Sequence, residues 1–165
     1  IVLALGSIKD AVKGDKKARM MMSKAAYLAG KAINITTTTA PHAISYPITT
    51  YFGLQHGHAV ALTLGHFFII NSSANDENVI DPRGGKYLES VMTKLYIMFD
   101  VSSPLECKNK WYAIMREIGL VSDMKRIVII TEREIEKVID GINLQRLRNH
   151  PVLIETKQLY KLLTS

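Results

Sequence analysis

The chain reads as an all-α bundle of about seven helices, and three observations predict it. Apolar residues recur at helical spacing in segment after segment. Two capping boxes, Ser103-Pro104-Leu105-Glu106 and Thr131-Glu132-Arg133-Glu134, mark helix starts. Strand signals are thin: Arg126 to Ile130 has a strand-like composition, but it has no partner elsewhere in the sequence. With 165 residues, 47% of them hydrophobic and 22% charged, a single domain with a real core is expected.

The elements follow in order. Leu3, Ile8, Ala11 and Val12 place a first helix that ends near Gly14. Arg19 to Ile35 forms a second, with Met22, Ala25, Ala26, Ala29 and Ile33 on one face, where the small residues imply close packing. Thr36 to Thr39 form a hydroxyl-rich break, and Pro41 sits where a first helical turn tolerates it, so a third helix begins near Ala40 and carries His42. Pro47 is expected to end or kink that helix. Gly53 and Gly57 bracket a loop, and His56 to Ile70 is apolar enough to be the central buried helix. After a polar loop from Asn71 to Gly85, Lys86 to Phe99 carries Leu88, Val91, Met92, Leu95 and Met98 at helical spacing. The two capping boxes open helices running through Trp111 to about Ile118 and through Ile135, Val138 and Ile139. A final helix after Pro151 spans Thr156 to Leu163.

Composition narrows the function classes. The longest apolar run, Ala59 to Ile70, is broken by Thr63, Gly65 and His66 and is too short to cross a bilayer. No charged region followed by an apolar stretch and a cleavage site opens the chain, and a lone Cys107 suits a reducing cytoplasm. The net charge of +6 comes from basic residues interleaved with acids, without an RNA-reading aromatic pattern, so no nucleic-acid partner is expected. Ile1 opens in the middle of an apolar pattern, which reads as a cut chain.

Chemistry is concentrated in one place. Four of the five histidines, His42, His56, His58 and His66, fall in Ala32 to Asn75, a stretch without a single Asp, Glu, Lys or Arg. Neutral imidazoles in apolar surroundings are ready metal ligands. His56 follows His42 by fourteen positions and opens the next helix after a loop, an arrangement that lets the two rings converge. His56 and His58 lie on nearly opposite sides of one helix and should not hold the same ion. His66 lies about 12 Å beyond His58 along the axis and reads as structural. Two histidines are an incomplete site, since catalytic Zn or Fe commonly takes three or more protein ligands, often with a carboxylate. The nearest acids, Asp15 and Asp76, have no motif relation to the pair, so a further ligand comes from a remote part of the chain or from outside it.

These residues resemble a known signature. Ala40-Pro41-His42-Ala43-Ile44-Ser45-Tyr46-Pro47, followed by Gln55-His56-Gly57-His58-Ala59-Val60-Ala61-Leu62, is similar to the metal-binding motif of the iron-containing (group III) alcohol dehydrogenases. Lys24 to Asn34 resembles the small-residue helix preceding that motif, and Asn143 to Pro151 with the closing helix resembles the family's C-terminal end. The resemblance implies that His42 and His56 hold Fe²⁺ or Zn²⁺, and that Tyr46 replaces a further histidine found in many members. It also implies that the remaining Asp and His ligands and the glycine-rich NAD(P) loop belong to an N-terminal nucleotide-binding half not found in these residues. Residues 1–165 would then be one helical metal-binding domain of an enzyme that interconverts a small alcohol and its aldehyde by NAD(P) hydride transfer, inactive by itself, with a homo-oligomer as a candidate assembly. No catalytic residue is assigned. Tyr46, Tyr51, Phe52 and Thr38 are candidate walls of the substrate pocket, with core packing as the alternative for each. Two other readings stand beside this one: a related enzyme of the same architecture, such as a glycerol dehydrogenase or 3-dehydroquinate synthase, and a non-enzymatic helical module that lost its cofactor half.

Overall fold

The computed structural model describes residues 1–127 and 131–164, which form nine α-helices and one 3-10 turn, with no strand among the described residues. The helices are α1 (Val2–Val12), α2 (Lys16–Ile35), α3 (Ala40–Phe52), α4 (His56–Ser72) and α5 (Gly85–Phe99). After these come α6 (Pro104–Glu117), α7 (Glu132–Asp140), α8 (Leu144–Leu147) and α9 (Thr156–Leu163). The expected count of about seven is thus exceeded, in part by the four-residue α8, which is too short for an apolar period to register and which Asn143 caps by accepting from the Arg146 N–H at 2.9 Å. The strand-like segment Arg126 to Ile130 does not begin as a strand: Arg126 closes the 3-10 turn, and residues 128–130 lie outside the described residues. No helix among the described residues is long and apolar enough to cross a membrane.

Both predicted caps are present in altered or full form. Thr131 and Glu134 make the complete reciprocal box at the start of α7. At α6 the Ser103 hydroxyl accepts from the Glu106 N–H, but the Glu106 carboxylate reaches one residue further back, to the N–H and hydroxyl of Ser102.

Tertiary packing overrides two local signals. Pro47 does not end its helix: α3 runs on to Phe52 and stops at Gly53, which adopts the left-handed conformation with φ +67°. An interior proline costs about 3 kcal/mol. Ile44 and Ile48, one turn apart on either side of Pro47 and essentially inaccessible to solvent, bury enough surface against α4, α7 and α8 to offset that cost. The small-residue face of α2 is not closely packed either. Met22 and Ala25 are half-covered, whereas Ala26, Ala29 and Ile33 are exposed. α2 folds back along α1 through a turn at Gly14 (φ +100°), but α1 has 11 residues and α2 has 20, so the far half of α2 runs past the end of its neighbour.

α4 is the centre of the molecule. On one side it joins α3, α7, α9 and the end of α6 in a core holding Ile44, Ile48, Leu62, Met115, Val138 and Leu163. On the other, Phe68 meets Leu88, Met92 and Phe99 of α5 and Cys107 and Ile114 of α6, with Leu5 and Ile8 of α1 laid over them. α6 is locked to α4 by two side-chain bonds to its carbonyls, Trp111 Nε1 to Ala61 O and Tyr112 Oη to Leu62 O, both 2.8 Å. The helices approach closely because Gly65 has no side chain: a Cβ there would lie 2.6 Å from the Tyr112 ring. Far from this crossing, one antiparallel bridge, Val79 to Val152, ties the long loop before α5 to the segment before α9.

Candidate metal centre

The three residues after α3, Gly53 to Gln55, bring the chain back along the helix, and α4 begins against His42, Ser45 and Tyr46 in the first turns of α3. His42, in the first turn of α3, and His56, the first residue of α4, face each other with ring centroids 5.5 Å apart. The convergence expected of this pair is present, although by a different route from a helix ended at Pro47.

Ser45 controls how His56 is presented. Its side chain is fully buried, its hydroxyl donates to the His42 carbonyl at 2.7 Å, and its oxygen lies 3.2 Å from His56 Nδ1. A hydroxyl has one proton, and the carbonyl takes it. The bond to His56 therefore runs from Nδ1–H to the Ser45 oxygen, which leaves the Nε2 lone pair of a neutral imidazole free for a metal. His42 is also biased toward the neutral, ligating form: burial lowers its pKa first, and the proximity of His56 lowers it further. The donor set fits a first-row divalent ion as half a site. Among the described residues no third His, Cys, Asp or Glu joins the pair.

The other histidines serve packing. His58 places Nε2 2.7 Å from the Val121 carbonyl, on another side of α4. His66 stands edge-on to the Tyr112 ring with Nδ1 3.4 Å from Lys108 Nζ, and burial, with Lys108 adding to it, pushes its pKa down to about 4. His150 is buried, bonds Asn71 Oδ1 through Nε2 at 2.8 Å, and is likewise pushed down to about 4 by burial.

Around the pair, Tyr46 lies with its ring 5.3 Å from that of His56, and the Arg146 guanidinium sits over the same Tyr46 ring, 4.7 Å from its centroid. One and a half turns along α3, Lys137 stands over Tyr51 at 4.3 Å. Phe52 packs against the main core, and the Thr38 carbonyl accepts from Asn149 Nδ2 at 3.4 Å. A cleft of about 650 Å³ elsewhere, lined by Asn71, Asp76, Glu89 and Tyr96 among others, involves neither His42 nor His56. Ser45 and Arg146 are the two neighbours that sequence reasoning missed. Ser45 had a faint signal, being one helical turn from His42 on the same face. Arg146 had none, since over a hundred residues separate it from His42.

Comparison with known proteins gives this geometry a family. A family model described as "Fe-containing alcohol dehydrogenase family, C-terminal" matches residues 1–165. Phosphonoacetaldehyde reductase of Streptomyces viridochromogenes is 38% identical over 92 residues, covering 56% of this chain and 23% of that protein. The crystal structure of sulfoacetaldehyde reductase from Bifidobacterium kashiwanohense in complex with NAD⁺ superposes with a TM-score of 0.77 at 25% identity, over 99% of this chain and 40% of that one. The chain thus spans less than half the length of either relative. A match over every residue, joined to the same helical architecture, places the chain in the iron-containing alcohol dehydrogenase family, as its C-terminal domain.

Proposed function

We propose that this chain is the metal-holding helical domain of an NAD(P)-dependent reductase of small aldehydes, with His42 and His56 as two ligands of Fe²⁺ or Zn²⁺. The single observation that carries the assignment is the facing of the two rings with the Ser45 oxygen engaging His56 Nδ1, which leaves Nε2 as the ligating nitrogen. The nucleotide site and the remaining ligands, including a carboxylate, belong to a nucleotide-binding half outside these 165 residues, so the chain alone is inactive. The relatives named as reductases, and the NAD⁺ bound to one of them, support this reading. The full-length family match supports an alcohol dehydrogenase over the dehydroquinate synthase alternative. A reducing cytoplasm suits its single, buried Cys107.

The metal, when bound, supplies Lewis acidity that polarises an aldehyde carbonyl and lowers the pKa of the corresponding alcohol. What this domain contributes is position and dryness. His42 and His56 fix one side of the coordination sphere, Ser45 fixes a ring, and the charge-free segment around them offers no competing ion. The test is to replace His42 or His56 by Ala in the full-length polypeptide and measure bound metal alongside aldehyde-dependent NAD(P)H oxidation. Both should fall together; full metal content and turnover in both variants would refute the assignment.

A further inference from the structure

We infer that Lys108 is a nucleophilic amine and a site of covalent modification, taking small aldehydes as imines where α4, α6 and α9 meet. The inference is independent of the reductase reading, because Lys108 stands beside His66, about 15 Å along α4 from His56.

Three features of the place carry it. The first is cover. Lys108, in the second turn of α6, is half-buried, with Nζ 3.4 Å from His66 Nδ1 and 5.9 Å from the centroid of the buried Tyr112 ring. That distance is the outer limit at which a ring attracts a cation, so Tyr112 displaces water from the ammonium and gives little back. The second is charge. No carboxylate of the described residues lies within 4 Å of Lys108 Nζ, whereas Lys9, Lys13, Lys110 and Lys157 each have one. Glu106, two residues earlier on α6, is taken up by Ser102, and Glu155, at the start of α9, by Lys157. The charge that does reach Lys108 is positive: burial first, then Lys161 on α9, lowers the pKa of its ammonium. A lysine withdrawn from water beside a second cation is a reactive amine on general grounds. The third is orientation. Burial, with Lys108 adding to it, holds His66 at about 4, so its ring is neutral at pH 7. Facing an ammonium, which only donates, Nδ1 carries the lone pair. Once neutral, the amine gives an N–H to His66 and keeps its own lone pair for a carbonyl carbon. Nitrogen and carbon join, both amine protons depart with the carbonyl oxygen as water, and an imine remains, with nothing oxidised or reduced.

The experiment exposes the full-length polypeptide to propanal and cyanoborohydride at pH 7 without NAD(P)H, so that no reductase turnover consumes the aldehyde. Cyanoborohydride reduces each imine to a propylamine, and peptide mass spectrometry reads the rate at every lysine. Lys108 is expected to be modified about three to ten times faster than the exposed Lys94 of α5. Lys161→Glu, which turns repulsion into attraction at an exposed position, should slow Lys108 by about threefold or more, and Lys161→Met should slow it less. A rate at Lys108 no greater than at Lys94 would overturn the inference, and so would a fast Lys108 that Lys161→Glu leaves unchanged. Aldehyde reduction, read separately with NAD(P)H, succeeds or fails without altering either result.

Discussion

Replacing Ser45 by Ala should detach His56 from its fixed orientation without disturbing the fold. The substitution removes one oxygen from a fully buried side chain and nothing else. The His42 carbonyl, which the hydroxyl contacts at 2.7 Å, lies within α3 and keeps its place in the backbone ladder. The partner that loses is His56 Nδ1–H, held at 3.2 Å. Losing the group that orients a ligating imidazole costs about 10- to 100-fold in metal affinity. Because the His56 ring is exposed and water can replace the lost acceptor, the lower end applies, about tenfold or 1.4 kcal/mol. Two assays check this on the full-length polypeptide. A Zn²⁺ competition titration reads the affinity. Nitrogen-15 chemical shifts of the metal-free histidines read the tautomer, with His56 protonated on Nδ1 in the wild type and shifted toward Nε2–H in the variant. Unchanged affinity together with an unchanged tautomer would mean that Ser45 serves only the helix, and the argument from its single proton would fail.

Two further outcomes follow from the packing. Gly65→Ala should destabilise the protein by about 1–3 kcal/mol, because its methyl meets the Tyr112 ring at 2.6 Å and that ring is pinned through its hydroxyl to Leu62; a urea midpoint equal to wild type would show that the crossing is looser than described. His150 gives the fold a pH dependence of definite sign: its folded pKa of about 4 lies below the unfolded value near 6.5, so its contribution is complete above about pH 6.5 and declines as pH falls toward 4. Over that window the His150 loss approaches about 1.4 kcal/mol per pH unit; because His66, also lowered to about 4, adds a decline in the same window, His150→Asn should make the profile shallower without abolishing it, and an equally steep decline in the variant would assign it to other groups.

The sequence made the helices legible wherever a local rule decided them. The hydroxyl of Thr131 and the carboxylate of Glu134 sit within four consecutive residues, so the start of α7 could be read from four letters. Thr156 to Leu163 carries enough apolar period to fix both ends of α9. Legibility fails where a distant partner decides. Pro47 obeys its local rule in any isolated peptide, and only Ile44 and Ile48 buried on either side of it keep α3 whole. The small residues of α2 announce a close partner, yet nothing in a sequence says whether that partner lies within the chain, and here the face of Ala26, Ala29 and Ile33 is open.

The same distinction divides the candidate site. His42 and His56 were visible because ligand chemistry needs particular residue types and because a short loop brings fourteen-residue neighbours together. Ser45 gave only a faint signal because a hydroxyl acquires a role only once geometry decides which of its two neighbours takes the proton. The missing carboxylate has an electrostatic logic of its own. Two neutral imidazoles leave the whole double charge of a divalent ion uncompensated, and an acid built into this domain would sit half-buried and unpaired until metal arrived. On the proposed reading, a carboxylate delivered from a nucleotide-binding half would avoid that cost and would make metal binding and the joining of the halves cooperative, since each would favour the other. A metal affinity far lower for this domain alone than for the full-length polypeptide is the signature of that coupling, and equal affinities would show that the two histidines bind the ion unaided.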